Sequence, residues 1–321
     1  MKGSYTIKIQ NRRVTFTLQL ERNITVICGD SATGKTTLIN SLRFYEELKE
    51  KSGVTVESRK ACRVLSGQDW FEKLQNISDS FVFIDEGNDF VSDGAFAAAI
   101  RNTDNYYVFV TRENLYQLPY SVNSILELRK TTSRFHHTYN RTYPVYDHVE
   151  NYDLLKEQLD VIVTEDRNSG NDLFAYIADR EGIRCISAKG KNRILEKIKE
   201  QGNDRTLVVA DGAAFGSEMA GVYKYAGMHP DSILLYLPES FEWLVLASDV
   251  LNDEEVRKIL ADPGTYIESG EYFSWERYFT HLLESKTRGT VAEYHKRKLS
   301  GYYLQKKNVE KVERRIQGIR A

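Results

Sequence analysis

A short apolar, β-branched run, Ile24–Cys28, leads directly into Gly29-Asp30-Ser31-Ala32-Thr33-Gly34-Lys35-Thr36-Thr37. From Thr36 to Lys51 the apolar residues Leu38, Ile39, Leu42, Tyr45 and Leu48 then recur at helical spacing. Strand, glycine loop and helix in immediate succession constrain the fold more than any other feature of the chain. The glycines let the backbone curl so that its N–H groups point inward, and the start of the helix adds a partial positive charge. Such a turn suits an anion. A buried strand feeding a helix also belongs to a sheet covered by helices.

The flanking sequence agrees with that class. Tyr5, Ile7 and Ile9, then Val14, Phe16, Leu18 and Leu20, alternate on either side of Asn11-Arg12-Arg13, which predicts a β-hairpin. Apolar runs at Cys62–Leu65, Phe81–Ile84, Tyr106–Val110 and Ile125–Leu128 alternate with polar or helical pieces. With Ile24–Cys28 they predict about five strands in a mainly parallel sheet. Thr131–Tyr146, with His136, His137, Asn140, Arg141 and Pro144, reads as a connector. The adjacent histidines would share neither a helix face nor a strand face as metal ligands. A second alternation follows, with strands at Val161–Val163, Ile183–Ile186, Leu207–Ala210 and Ile233–Leu237 and helical patterns between them. Beyond about residue 250 the chain reads as helical, and Val309, Val312, Ile316 and Ile319 form one apolar stripe.

Gly29–Thr37 fits GxxxxGK[ST] at every fixed position. Phe81-Val82-Phe83-Ile84-Asp85-Glu86 is a buried strand ending in two carboxylates, and Tyr107–Val110 ends in Thr111-Arg112-Glu113-Asn114. Together these resemble the P-loop NTPases of the additional-strand, catalytic-glutamate division, to which AAA-like and ABC-like ATPases belong. The resemblance implies ATP with Mg²⁺ as ligands. It implies that the loop Gly29, Asp30, Ser31, Ala32, Thr33, Gly34, Lys35, Thr36 and Thr37 holds the phosphates, with Lys35 on the outer two. Thr36 and Asp85 would hold Mg²⁺, Asp85 through water, and Glu86 would activate the attacking water. Thr111 would contact the γ-phosphate or that water, with Arg112 and Asn114 behind it. The strand ending at Thr111 is expected between the loop strand and the Asp85 strand. The hairpin leans toward the ABC side, whereas the short spacing from Lys35 to Asp85 resembles compact AAA-like cores; Leu65-Ser66-Gly67-Gln68 is a chance likeness to the ABC signature.

In the second alternation Glu165-Asp166, Asp211, and Glu239 with Glu242 all follow strand ends, the edge of a parallel sheet where ligands bind. Glu165, Asp211 and Glu239 could hold a second divalent metal. Over about residues 155–250 the pattern resembles a Toprim domain, as in OLD-family proteins, which join a P-loop ATPase to a Toprim nuclease. The resemblance implies roles for Glu165, for Gly190 after the second strand and for Asp211 as the first aspartate of DxD. Ala213 stands where the second aspartate would be.

The expected organisation is therefore α/β: a P-loop ATPase domain with its hairpin over 1–140, a smaller Toprim-like α/β domain over 155–250, and a helical, basic region over 251–321. The chain carries a formal net charge of −2, yet from Lys286 onward eleven Lys and Arg stand against three Glu. This stretch interleaves Tyr294, Tyr302 and Tyr303 with Lys296, Arg297 and Lys298, a composition suited to single-stranded nucleic acid. Cys28, Cys62 and Cys185 are scattered and unpaired in spacing, which excludes a disulfide framework and suggests a cytoplasmic protein. No secretory h-region and no long apolar run occur, so no membrane partner is expected. The resulting expectation is Mg²⁺-dependent ATP hydrolysis that controls the C-terminal half in nucleic-acid processing or bacterial or phage defence. The alternative is a nucleotide-gated binding or scaffold protein, acting as a homo-oligomer or through a partner effector.

Overall fold

The computed structural model describes residues 1–29, 33–134, 137–146 and 159–316. The chain divides into two compact units: residues 1–147 with 262–274, and 148–261 with 275–321. The region beyond 250, read in sequence as one piece, is thus distributed between both units.

The first unit contains β1 (Tyr5–Gln10), β2 (Val14–Leu20), β3 (Ile24–Cys28), α1 (Lys35–Leu48), β4 (Thr55–Glu57), β5 (Ala61–Val64), α2 (Trp70–Gln75), β6 (Ser80–Asp85), α3 (Gly94–Ile100), β7 (Tyr106–Val110), β8 (Ile125–Arg134) and β9 (His137–Pro144). They form one nine-stranded sheet in the order β4-β1-β2-β9-β8-β3-β7-β6-β5. The five strands from β8 to β5 are mutually parallel, and β7 stands between β3 and β6 as expected. The remainder corrects the expectation of a mainly parallel sheet. β1 pairs antiparallel with β2 and with β4, β8 pairs antiparallel with β9, and β2 pairs parallel with β9, so the whole is mixed.

The supposed connector 131–146 is where the reading fails. Most of it is strand: β8 runs to Arg134 and β9 from His137 to Pro144. β9 carries few apolar residues because most of it is only partly buried, so it lacks the alternation that reveals a strand. His136 lies outside the described residues. His137 sits on β9, its Nε2 2.9 Å from Thr15 Oγ1.

The core explains why the sheet bends. Tyr5 on β1 meets Phe81 on β6 and Tyr106 on β7 edge-on, at centroid distances of 5.2 and 5.6 Å. In sheet order β1 is far from both, so the sheet curls until the hairpin faces the parallel strands. Helix α1 packs on β1, β5 and β6, and its Leu38, Ile39 and Leu42 share one buried cluster with Ile7, Phe16, Phe83 and Val108. Alternation along β6 and β7 then sends Tyr107 and Phe109 to the other face, where Phe96 of α3 meets both rings.

The second unit contains β10 (Val161–Thr164), α4 (Ser169–Glu181), β11 (Arg184–Ser187), α5 (Ile194–Glu200), β12 (Thr206–Val209), α6 (Gly216–Met228), β13 (Ile233–Tyr236), α7 (Phe241–Ala247) and α8 (Glu254–Ala261). The short α9 (Pro263–Tyr266) belongs to the first unit, and the second resumes with α10 (Trp275–Thr287) and α11 (Lys306–Ile316). Its four strands are all parallel, in the order β11-β10-β12-β13. Val161, Val163 and Val208 are fully buried, as expected of strands covered on both faces. On α11, Val309, Val312 and Ile316 are buried as the stripe requires, while Ile319 lies outside the described residues. Among the described residues no helix is long and apolar enough to cross a membrane.

Phe81 is fully buried between Tyr5 and Tyr106. Replacing it with Ala removes the ring that joins the hairpin to the parallel strands. The expected loss is about 3–5 kcal/mol, read as an earlier first-unit transition in urea. A loss under about 1 kcal/mol would mean that the hairpin is not held by this contact.

Candidate functional sites at two sheet edges

In the first unit the strand registers fix the geometry. Ile27 on β3 is paired with Val110 on β7, and Val110 with Asp85 on β6. The three strands therefore end at one level. The glycine loop after Cys28, Thr111 after β7, and Asp85-Glu86 at the end of β6 all emerge on the same edge, within about 10 Å of one another across two strand spacings.

The loop itself is shaped by its glycines. Gly29 and Gly34 have φ of 119° and 95°, which L-residues with side chains rarely adopt. A Cβ at Gly34 would also lie 3.2 Å from the Phe16 ring and 3.4 Å from Asn140 Nδ2. The hairpin and β9 thus press on the loop from behind. Asp30, Ser31 and Ala32 lie outside the described residues. Thr33 and Gly34 are half-buried, Lys35 is buried, and Thr36 and Thr37 are exposed at the start of α1. The Lys35 ammonium donates to the Gly29 carbonyl and lies 3.5 Å from Thr33 Oγ1.

Asp85, Glu86 and Thr111 line one cavity of about 190 Å³ together with Asn88 and Glu113. Burial raises the Asp85 carboxyl above its ordinary range, opposed by the Glu86 amide, which donates to Oδ1 at 3.0 Å, and by Arg43 at 4.0 Å. Glu86 is half-exposed, with Arg112 Nε 4.0 Å from its carboxylate. Thr111 is buried, and its hydroxyl accepts from the Glu113 amide at 3.0 Å.

In the second unit the same rule operates. Thr164 is in register with Ser187 and Val209, and Val209 with Tyr236. The strand order reverses direction beside β10, so the crevice lies at the ends of β10 and β12, and these strands lead to Glu165 and Asp211. The Asp211 amide donates to Glu165 Oε2 at 3.1 Å, and the Phe241 amide donates to Asp211 Oδ1 at 3.0 Å. Gly190, at φ 132°, donates its amide to the Glu165 carbonyl at 2.7 Å. Gly212 is confined for another reason: a Cβ there would lie 2.7 and 2.9 Å from the carbonyl oxygens of Leu237 and Pro238.

Glu242, not Glu239, lines the small cavity with Glu165 and Asp211. Ser240 caps α7 through the Trp243 amide, so the helix begins at once and carries Glu242 inward, where it is 1% exposed. Moreover, among the described residues no group of three or more His, Cys, Asp or Glu side chains is arranged to hold a metal ion. The oxygen-rich donors suit a hard cation, but the set Glu165, Asp211 and Glu239 does not assemble around one point.

Two further residues belong here: Glu276, which no sequence pattern marked, and Lys296, read above only as part of a basic stretch. Glu276, from the start of α10, lies close enough to raise both Glu165 and Asp211. Lys296 lines the same cavity and bonds Glu276 at 2.6 Å. Tyr294 is buried, donating its hydroxyl to Glu242 Oε1 at 2.8 Å, and Tyr303 is buried, donating to the Ala292 carbonyl at 2.6 Å. These two tyrosines are interior residues and offer no exposed ring to a nucleic-acid base. The burial of alternate aromatics was not legible because the segment follows no helix or strand period.

No protein-family model matches the chain, and a search of curated proteins finds no match.

Burial, followed by Glu276 and Asp166, pushes the Glu165 carboxyl up to about 7 from an ordinary 4.5, against the Asp211 amide. Between those values the folded unit holds more protons than the unfolded chain, so its stability falls as pH rises from 4.5 to about 7. Glu165→Gln should flatten that part of the slope in thermal melts recorded across this range. An unchanged slope would show that Glu165 is ionised normally.

Proposed function

We propose that the first unit binds a nucleoside triphosphate with Mg²⁺ and hydrolyses it, and that the second unit responds to the nucleotide state. The observation that carries this reading is the common level of three strand ends, which gathers the glycine loop, Thr111, and Asp85 with Glu86 on one edge. A second strand standing between the loop strand and the Asp85 strand supports the likeness to the additional-strand division of P-loop NTPases.

The residues fit Mg²⁺ and a triphosphate. Two glycines in left-handed backbone flank a loop that opens onto the first turn of α1, whose leading N–H groups have no partner within the helix. Lys35 already donates to a loop carbonyl, and a phosphate oxygen is an equivalent acceptor. Thr36 and Asp85 would hold the ion, which supplies charge neutralisation on the phosphates. An adjacent cation would also favour the ionised form of Asp85, which burial alone disfavours. Glu86, half-exposed beside the cavity that Thr111 also lines, is placed by its chemistry to orient and deprotonate a water.

Lys35→Ala should weaken ATP–Mg²⁺ binding about 10- to 100-fold in calorimetry. Glu86→Gln should keep binding and slow phosphate release by about a hundredfold or more. Equal turnover by wild type and Glu86→Gln would remove Glu86 from the reaction. No heat of binding in wild type would end the reading altogether.

For the second unit, the likeness to a Toprim domain as in OLD-family nucleases supports a role in nucleic-acid processing or defence. Two observations favour a module that binds without cutting: Ala213 at the position of the second aspartate, and Lys296 among the acids. Incubation with plasmid and single-stranded DNA in Mn²⁺ or Mg²⁺ should give no cleavage beyond that of a Glu165→Ala, Asp211→Ala double variant. Cleavage abolished by those two substitutions would establish a nuclease instead.

A further inference from the structure

The acidic edge of the second unit poses an electrostatic problem. Glu165, Asp211, Glu242 and Glu276 gather at the ends of β10 and β12, Glu242 buried and the other three half-buried. Burying carboxylates without a counter-charge is costly. One oxygen of this group has no partner at all: Glu242 Oε2, on a residue 1% exposed that lines the cavity. Only its other oxygen is satisfied, by the Tyr294 hydroxyl, so this buried carboxylate keeps an unmet demand for positive charge or a donor.

The chain supplies a cation to this edge, bonded to Glu276. Residues 292–299 form a strap with no regular structure of its own, tied down at several points. Ser169 donates its amide to the Lys296 carbonyl at 3.0 Å and its hydroxyl to the His295 carbonyl at 2.6 Å. The Leu299 amide donates to Asp172 Oδ2 at 3.0 Å, and the Tyr294 hydroxyl to Glu242 at 2.8 Å. The strap thereby delivers the Lys296 ammonium to Glu276 at 2.6 Å, in the cavity that Glu242 and Asp211 also line. Burial alone would lower the affinity of Lys296 for its proton, but Glu276, Glu242 and Asp211 together hold it above its ordinary value. The remaining cavity is about 40 Å³, room for a few waters at most.

We infer that Lys296 is a built-in cation that offsets part of the negative charge at the acidic edge of the second unit and keeps a divalent metal ion out of it. The sequence places hard oxygen donors where a metal is expected, and the fold seats an ammonium among them. A metal could enter only where the Lys296 ammonium is removed or displaced. The inference concerns the second unit alone and does not depend on nucleotide binding by the first.

The test is titration of the full chain with Mn²⁺, without nucleotide, followed by the EPR signal of free Mn²⁺. The titration is carried out in a Lys35→Ala background so that no ion at the glycine loop contributes. The parent should show no Mn²⁺ site tighter than about 1 mM. Lys296→Ala and Lys296→Gln should each gain one site at least about tenfold tighter. Adding Asp211→Asn should abolish it, and Lys296→Arg, which keeps the charge, should gain none. If Lys296→Ala unfolds, refolding on addition of Mn²⁺ supports the inference, since the metal then replaces the missing charge. A tight Mn²⁺ site in the parent that is lost on Asp211→Asn would overturn it. So would folded Lys296→Ala and Lys296→Gln proteins that gain no site, or an unfolded variant that Mn²⁺ does not rescue.

Discussion

Everything at either candidate site rests on parallel strands that end in register. In a parallel sheet all strands point one way, so the residues that follow them are delivered to a single edge without any long-range search. In the first unit the pairing of Ile27 with Val110 and of Val110 with Asp85 does this for a glycine loop, a threonine and two acids. In the second, the pairing of Thr164 with Val209 does it for Glu165 and Asp211. A slip of one residue in any of these strands would turn the buried valines and phenylalanines to the wrong face. The apolar core therefore enforces the register that the edge chemistry needs.

The two edges solve opposite electrostatic problems with that common geometry. The first sets the glycine loop, a helix start and the buried Lys35 on one side of β7, with Asp85 and Glu86 on the other. Each of those two carboxylates has an arginine at 4.0 Å, Arg43 beside Asp85 and Arg112 beside Glu86. The second gathers negative charge and then offsets it internally with Lys296. An edge that carries a counter-charge of its own has less to gain from an external cation than one that does not. This contrast, more than any motif, separates the two units in what their edges can recognise.

Much of this was legible in the sequence, and the limits were physical. Strands buried on both faces, such as Ile24–Cys28, Phe81–Ile84 and Val161–Val163, announce themselves as continuous apolar runs. The loop was legible because its glycines answer to backbone geometry that the structure retains at Gly29 and Gly34. β9 was missed because a partly buried strand with polar neighbours carries no apolar period, and with it went the mixed character of the sheet. The choice between Glu239 and Glu242 turned on where α7 starts, which Ser240 decides by capping it. Glu276 and Lys296 could not be found from spacing at all. They reach the acids from α10 and an irregular strap, and contacts between residues so distant in sequence leave no local pattern.

The first unit is also discontinuous, and this bears on how it is built. Residues 262–274 return to it after the whole parallel sheet of the second unit has been completed. The Gly3 amide donates to the Gly264 carbonyl at 2.7 Å, and Asn23 Nδ2, buried immediately before β3, donates to the Ser269 carbonyl at 3.1 Å. Asn23 in turn offers its own carbonyl to the Tyr107 amide at 2.6 Å, at the start of the pairing between β3 and β7. The late segment is thus bonded to the residue from which the central strands of the first unit take their register. Removing it would leave the Asn23 amide buried without its acceptor, at a cost of about 1–3 kcal/mol, at the opposite end of β3 from the glycine loop. The chain then runs straight from Ser274 into α10 and Glu276, so the same short stretch anchors one unit's central strand and begins the helix that carries an acid of the other's edge.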